Sequence, residues 1–164
     1  MESFNQSMNE YKKQLGKGVI QEAYKGLMEY MMGLRTHFDK KYPDHFVSGS
    51  IYYGYMDMTF FSFIPKSFKA RKLKPAIVFN HDAFQFEIWL AAANKGVQSK
   101  YWKMIKESGW DKYQLMPTIK GFDSIIESVL VADPDFSDLA ALTKGIESGV
   151  LKFIKDVEVF LSKN

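Results

Sequence analysis

Two carboxylates sit inside stretches that otherwise read as aromatic strand. Asp57 lies within IYYGYMDMTFFSFI (51–64) and Glu87 within FQFEIWLA (84–91). On neighbouring strands, with side chains on a common face, such a pair could share a divalent cation or divide acid and base work. The nearest lysine after Glu87 is Lys95, the candidate amine for activating a water. Strand side chains alternate between faces, so Tyr53 and Tyr55 join Asp57 on one side, and Gln85 and Trp89 join Glu87. If a long helix covers that face, Arg35 and His37 from the preceding segment reach it, and the gap becomes an aromatic pocket with a few polar groups. With both sheet faces fully packed, the same groups instead satisfy one another as a buried polar network.

A second constellation is basic. Lys66, Lys69, Arg71, Lys72 and Lys74 fall within nine residues without an intervening acid. Such a run can hold the phosphate oxygens of an anionic partner, and exposed Tyr or Trp rings beside it can stack bases, so a nucleic acid is compatible with it. The plainer reading is a solvated connection whose lysines keep a strand edge from pairing with another chain.

Composition narrows the classes. The 164 residues carry 46% apolar and 25% charged side chains, enough for one domain with a core of its own, here spanning 1–164. There is no cysteine, which removes disulfides, thiolate metal sites and a Cys nucleophile together. A net charge of +3 is too small to argue for nucleic acid by itself. His37, His45 and His81 are scattered, and no phosphate loop, dinucleotide glycine fingerprint, HExxH or GxSxG is present. No metal site and no cofactor are assigned. The opening MESFNQSMNEYKKQ is polar, and no apolar run approaches a membrane span. The expectation is a soluble, cytoplasmic protein with no membrane partner.

The elements that must position these residues follow from periodicity. Residues 5 to 16 read as a helix ended at Gly16-Lys17-Gly18, and 19 to 41 as a longer one with Ile20, Leu27, Leu34 and Phe38 on a stripe and Pro43 beyond its end. Gly26 and Gly33 in that helix suggest a close neighbour there. Residues 51 to 64 read as one strand, with Gly54 as a bulge. Residues 76 to 80 and 84 to 91 form a hairpin around His81-Asp82-Ala83, with Phe84, Phe86, Ile88 and Leu90 facing the core. Asn94 caps a helix of 95 to 108 stopped by Gly109. Residues 113 to 116 and 124 to 132 are taken as strands, though the second also fits a helix. A final helix of 137 to 162 carries Gly145 and Gly149 one turn apart. The result is an α+β domain with a mainly antiparallel sheet of four to five strands, flanked by N-terminal and C-terminal helices.

Two resemblances bear on function. The segments KGLMEYMMGLRTHF (25–38), SGSIYYGYMDMTFFSFIPKSFKARKLKPAIVF (48–79), FEIWLAAANKGVQSKYW (86–102) and DPDFSDLAALTKGIESGVLKFIKDVEVFL (133–161) resemble an uncharacterised family of small bacterial proteins defined by a domain of unknown function. That likeness implies a cytoplasmic bacterial protein standing alone; it carries no activity or catalytic residue. Separately, a strand Asp followed by a hairpin Glu before a helix is loosely similar to the core of restriction-endonuclease-like proteins, although Trp89 stands where their lysine belongs. The leading expectation is therefore a non-enzymatic binding protein whose aromatic and polar sheet face (Arg35, Tyr53, Tyr55, Asp57, Gln85, Glu87, Trp89) holds a small molecule or an anionic partner, with Lys66 to Lys74 as an anion-binding loop. The alternatives are a metal-dependent phosphodiesterase using Asp57, Glu87 and Lys95, and a homodimeric interaction module built on the glycine-bearing helices.

Overall fold

A computed structural model describes residues 1–164. Helix α1 (Phe4–Lys17) starts at a reciprocal cap in which the Ser3 hydroxyl accepts from the Gln6 amide and the Gln6 side chain accepts from the Ser3 amide. Gly18, at φ 77°, ends α1 and turns the chain directly into α2 (Val19–Lys41). Strand β1 (Phe46–Val47) follows, then β2 (Met58–Ile64), the short helix α3 (Lys66–Ala70), β3 (Leu73–Asn80) and β4 (Gln85–Ala92). Helix α4 (Lys95–Ser108) is capped by the Asn94 side chain on the Val97 amide and ends at left-handed Gly109. Strands β5 (Gln114–Leu115) and β6 (Ser124–Val131) and helix α5 (Leu139–Ser162) complete the chain.

All six strands pair antiparallel in the order β1-β2-β3-β4-β6-β5. The fold is α+β, with one strand more than the upper end of the sequence expectation, because two-residue β1 is too short to leave a periodic signal. Segment 124–131 is strand, as its β-branched content suggested.

The pleat sorts the side chains. One face carries Phe61 and Phe63 from β2, Ile77 and Phe79 from β3, and Phe86, Ile88 and Leu90 from β4, all inside the main core cluster. Helix α2 packs here: Phe38 lies 4.9 Å from Phe63 and 6.1 Å from Phe61 between ring centroids. Helix α5 adds Ile146, Val150, Phe153 and Val157, and Leu130 of β6 fits over Gly149, where an added Cβ would stand 2.8 Å from its Cδ2. Fully burying each such Phe, Leu or Ile contributes about 1.5–3 kcal/mol. The other face carries Phe60, Val78, Glu87 and Trp89, and its Ala76 and Val78 lie outside the core cluster.

Four local expectations are corrected. Residues 51–57 do not extend β2; they fold back on it, with Tyr52 bridging Phe60. Gly54, at φ 75°, makes the reversal, and Asp57 Oδ1 closes it by accepting from the Tyr55 and Met58 amides, both at 2.8 Å. Phe84 belongs to the β3–β4 turn, 56% exposed, and not to the core row of β4. The basic run is not a plain loop, because Phe68 is fully buried and anchors α3 within it. Gly26 and Gly33 have no neighbour within 4 Å of a built Cβ, so close packing is not why they are there. No helix is long and apolar enough to cross a membrane.

Candidate functional site

Gln85, Glu87 and Trp89 meet on the outer sheet face, and Glu87 is their hub. Its Oε1 accepts from Trp89 Nε1 at 2.8 Å, and its Oε2 accepts from Gln85 Nε2 at 2.6 Å and Asn80 Nδ2 at 3.1 Å. Glu87 is buried with its lone pairs engaged, the arrangement a desolvated carboxylate needs. Glu127 stands opposite Trp89 on β6. Burial lifts its carboxyl above the ordinary value; the Ser124 hydroxyl bonded to it opposes this and the Glu87 charge adds to it. A polar cleft of about 260 Å³ lies beside this row, between Glu87, Glu127, Lys112 and Gln114.

Asp57 does not join them. Glu87 is level with Phe60 across β3, so Asp57 lies two strands over and three residues along, about 14 Å away by ordinary strand spacing. Its carboxylate closes a turn, and those backbone amides hold its pKa below the usual range. Lys95 Nζ reaches the Ile119 and Phe122 carbonyl oxygens. No group of three or more metal-ligating acids or histidines assembles anywhere in the molecule. The strand-Asp premise of the endonuclease likeness thus fails: Gly54 and Asp57 together favour a turn where aromatic content alone suggested strand.

Arg35 is elsewhere too, donating from Nε to the Ser48 carbonyl at 2.5 Å, with Asp39 at 3.9 Å. His37 bonds Glu147 on α5. Tyr53 and Tyr55 stand exposed on the 51–57 loop. Lys66, Lys69, Arg71, Lys72 and Lys74 are all exposed and none forms an ion pair, although Lys69 lies 5.3 Å over the Phe46 ring.

A larger, apolar cavity opens at the β3–β4 turn end of the sheet. It measures about 570 Å³, within the range that holds a small organic ligand. Its wall on α2 is Ile20, Ala23, Leu27 and Tyr30, three or four residues apart on one stripe. Phe79 forms the floor, while Phe136 and Leu139 close the far side from the approach to α5. Phe136 sits 6.2 Å from Phe84, 6.2 Å from Phe86 and 6.4 Å from Tyr30, between ring centroids. Asp135 holds that segment by accepting from the Ser137 amide and hydroxyl.

Backbone strain converges on the same cavity. Four non-glycine residues have positive φ: Met56, Lys72, Phe84 and Asp133. The two apolar ones, Met56 at 61° and Phe84 at 53°, both line this space. A bulky side chain in the left-handed region costs about 1–2 kcal/mol. Here it points two large apolar groups at the cavity while leaving them more than half exposed.

His81 brings a polar ring into this apolar surround. Its amide donates to the Asp57 carbonyl at 2.9 Å, and Nε2 lies 2.8 Å from the Thr59 hydroxyl. That hydroxyl spends its one hydrogen on the Tyr53 carbonyl at 2.7 Å, so it accepts from His81 Nε2–H. Burial depresses the His81 pKa against the opposing pull of Asp57, which keeps the ring neutral near pH 7. Sequence reasoning placed Ile20, Leu27 and Phe84 on core faces and gave Phe136 no role. The available signal was a β3–β4 turn with neither Gly nor Asn where a left-handed residue was required.

No curated protein and no solved structure shows significant similarity to this chain. The sequence does match one defined family over residues 4–161, nearly its whole length. The sheet and the cavity fall within that match, and the chain belongs to the DUF7000 family, a domain of unknown function.

Proposed function

We propose that this protein binds a small apolar molecule in the cavity between α2, the β3–β4 turn and the start of α5. The observation that carries the reading is the cavity itself: about 570 Å³, walled by aliphatic and aromatic side chains, with strained Met56 and Phe84 turned toward it. Exposed Ile20, Met56, Phe84, Phe136 and Leu139 form one contiguous apolar rim. Such a patch costs solubility unless something occupies it. The outer sheet face is the weaker candidate, because Glu87 already has its partners on the protein.

The test is thermal stabilisation by a panel of apolar fragments. A ligand that binds only the folded state raises the melting temperature in proportion to RT ln(1 + [L]/Kd). Ala23 is exposed on α2 at the cavity wall, so Ala23→Trp fills the space without disturbing the core. Stabilisation of the natural chain and none of Ala23→Trp is expected; a panel that stabilises neither removes the reading.

A second reading, a homodimer, has its own observation. Helix α1 buries no residue, yet Phe4, Met8, Tyr11 and Leu15 repeat along one stripe. Glu2 and Glu10 precede Lys12, Lys13 and Lys17, so antiparallel pairing with a second copy sets acids against lysines. Light scattering that gives a monomer at high concentration rules this out.

A further inference from the structure

We infer that the cavity ligand is a neutral, flat molecule bearing a single hydrogen-bond donor, of the indole or phenol class, and that Nδ1 of His81 is the atom that recognises it. The inference rests on the cavity reading above and adds the chemistry of the occupant.

The argument begins with the tautomer. Thr59 is fully buried and its only hydrogen is committed to the Tyr53 carbonyl, so His81 must present Nε2–H to it. In a neutral ring the other nitrogen is then a bare acceptor. His81 Nδ1 has no hydrogen-bond partner on the protein. The one buried side-chain polar atom without a partner is Nδ1 of His45, so the unpaired Nδ1 of His81 is open to the space around it. His81 is part of the cavity lining, which puts its ring within reach of an occupant. An acceptor facing apolar walls is a costly thing to leave unmatched, and it selects a ligand that donates.

The walls supply the rest. The His81 ring is already flanked by Phe79 at 5.0 Å and Tyr24 at 6.3 Å between centroids, and Phe84 and Phe136 stand 5.3 and 6.4 Å from Phe79. Rings at these separations accept another ring edge-on or offset. The Tyr30 hydroxyl is already bonded to Thr143. The carboxylate in the lining, Glu22, is exposed on α2 and disfavours an anionic ligand.

The test uses two probes of nearly the same shape, indole and benzofuran, which differ in having or lacking the donor. Titration calorimetry on the full chain should give indole an affinity at least tenfold higher, the size of effect expected when one buried polar atom is left unmatched. His81→Phe keeps a ring and removes the acceptor, so the two probes should then bind alike. Equal affinities for the natural chain overturn the inference while leaving the cavity reading intact. Tetramethylammonium binding in preference to indole overturns it in favour of a cation held by the aromatic walls. If neither indole nor benzofuran binds, the cavity reading falls together with it.

Discussion

Nε2 of His37 lies 2.9 Å from Oε1 of Glu147, and this bond joins the last turns of α2 to the middle of α5. The same carboxylate accepts from the Tyr42 hydroxyl at 2.5 Å and from Lys41 Nζ at 2.8 Å. Burial works against the Glu147 charge, but the bonds from Lys41, Tyr42 and His37 outweigh it and hold the carboxyl at about 2. Burial and the Glu147 carboxylate together push the Tyr42 phenol up to about 12. The long helix that walls the cavity is thus clamped at its far end, and the clamp sets how the wall stands over the sheet.

Glu147→Gln should therefore destabilise the fold by about 2–3 kcal/mol, somewhat less than breaking a fully buried ion pair costs, because Lys41 and His37 remain partly in water. The pH dependence has a definite sign. A carboxyl whose folded pKa is depressed stabilises above its unfolded value and loses that contribution as pH falls through the folded one. Urea melts of the natural chain should weaken between about pH 4.5 and pH 2, and the Gln variant should lose less across the same window.

Gly54→Ala should cost about 2 kcal/mol or more. The new Cβ would run into the Met58 carbonyl oxygen and the Asp57 carboxylate, at a backbone angle of 75° that alanine adopts only under strain. Because Tyr53, Met56 and Asp57 share this turn, chymotryptic cleavage at its tyrosines should speed up along with the loss of melting temperature.

Phe84→Gly separates stability from binding. Glycine relieves the positive φ, worth about 1 kcal/mol, and offsets much of the packing lost from a ring that is already 56% exposed. The melting temperature should move by only a few degrees, whereas the stabilisation produced by an apolar probe should fall severalfold. A large fall in stability would mean that the ring belongs to the core.

Removing residues 1–17 should leave the melting temperature nearly unchanged, since α1 buries no side chain against the rest of the molecule. A helix of 14 residues with no packing is marginal in water. Amides of Asn5 to Leu15 should therefore exchange rapidly in a monomer, and the exchange profile by mass spectrometry checks this directly.

Much of the fold was legible because its signals are local. Asn94 and Gly109 bracket α4, Gly18 separates α1 from α2, and the periodic Leu142, Ile146, Val150, Phe153 and Val157 announce α5. The two-residue strand β1 left no such trace, since its pairing partner creates it. Segment 51–57 misled because Tyr, Met and Ile favour a strand whether or not the chain reverses; Asp57 decided the matter through bonds that exist only once the turn has closed.

By itself the sequence determined an α+β domain and the helices and strands that fill it, because helix caps and side-chain alternation act between residues a few positions apart. Only the tertiary structure decided that Asp57 closes a turn while Glu87 lies on β4, that Glu87 spends its oxygens on its own neighbours, and that His81, Phe84 and Phe136 enclose one cavity with the start of α2. Those relationships join residues more than a hundred positions apart. They arise from strand register and from helices docking on a shared apolar face, and neither has a signature in any short stretch of chain.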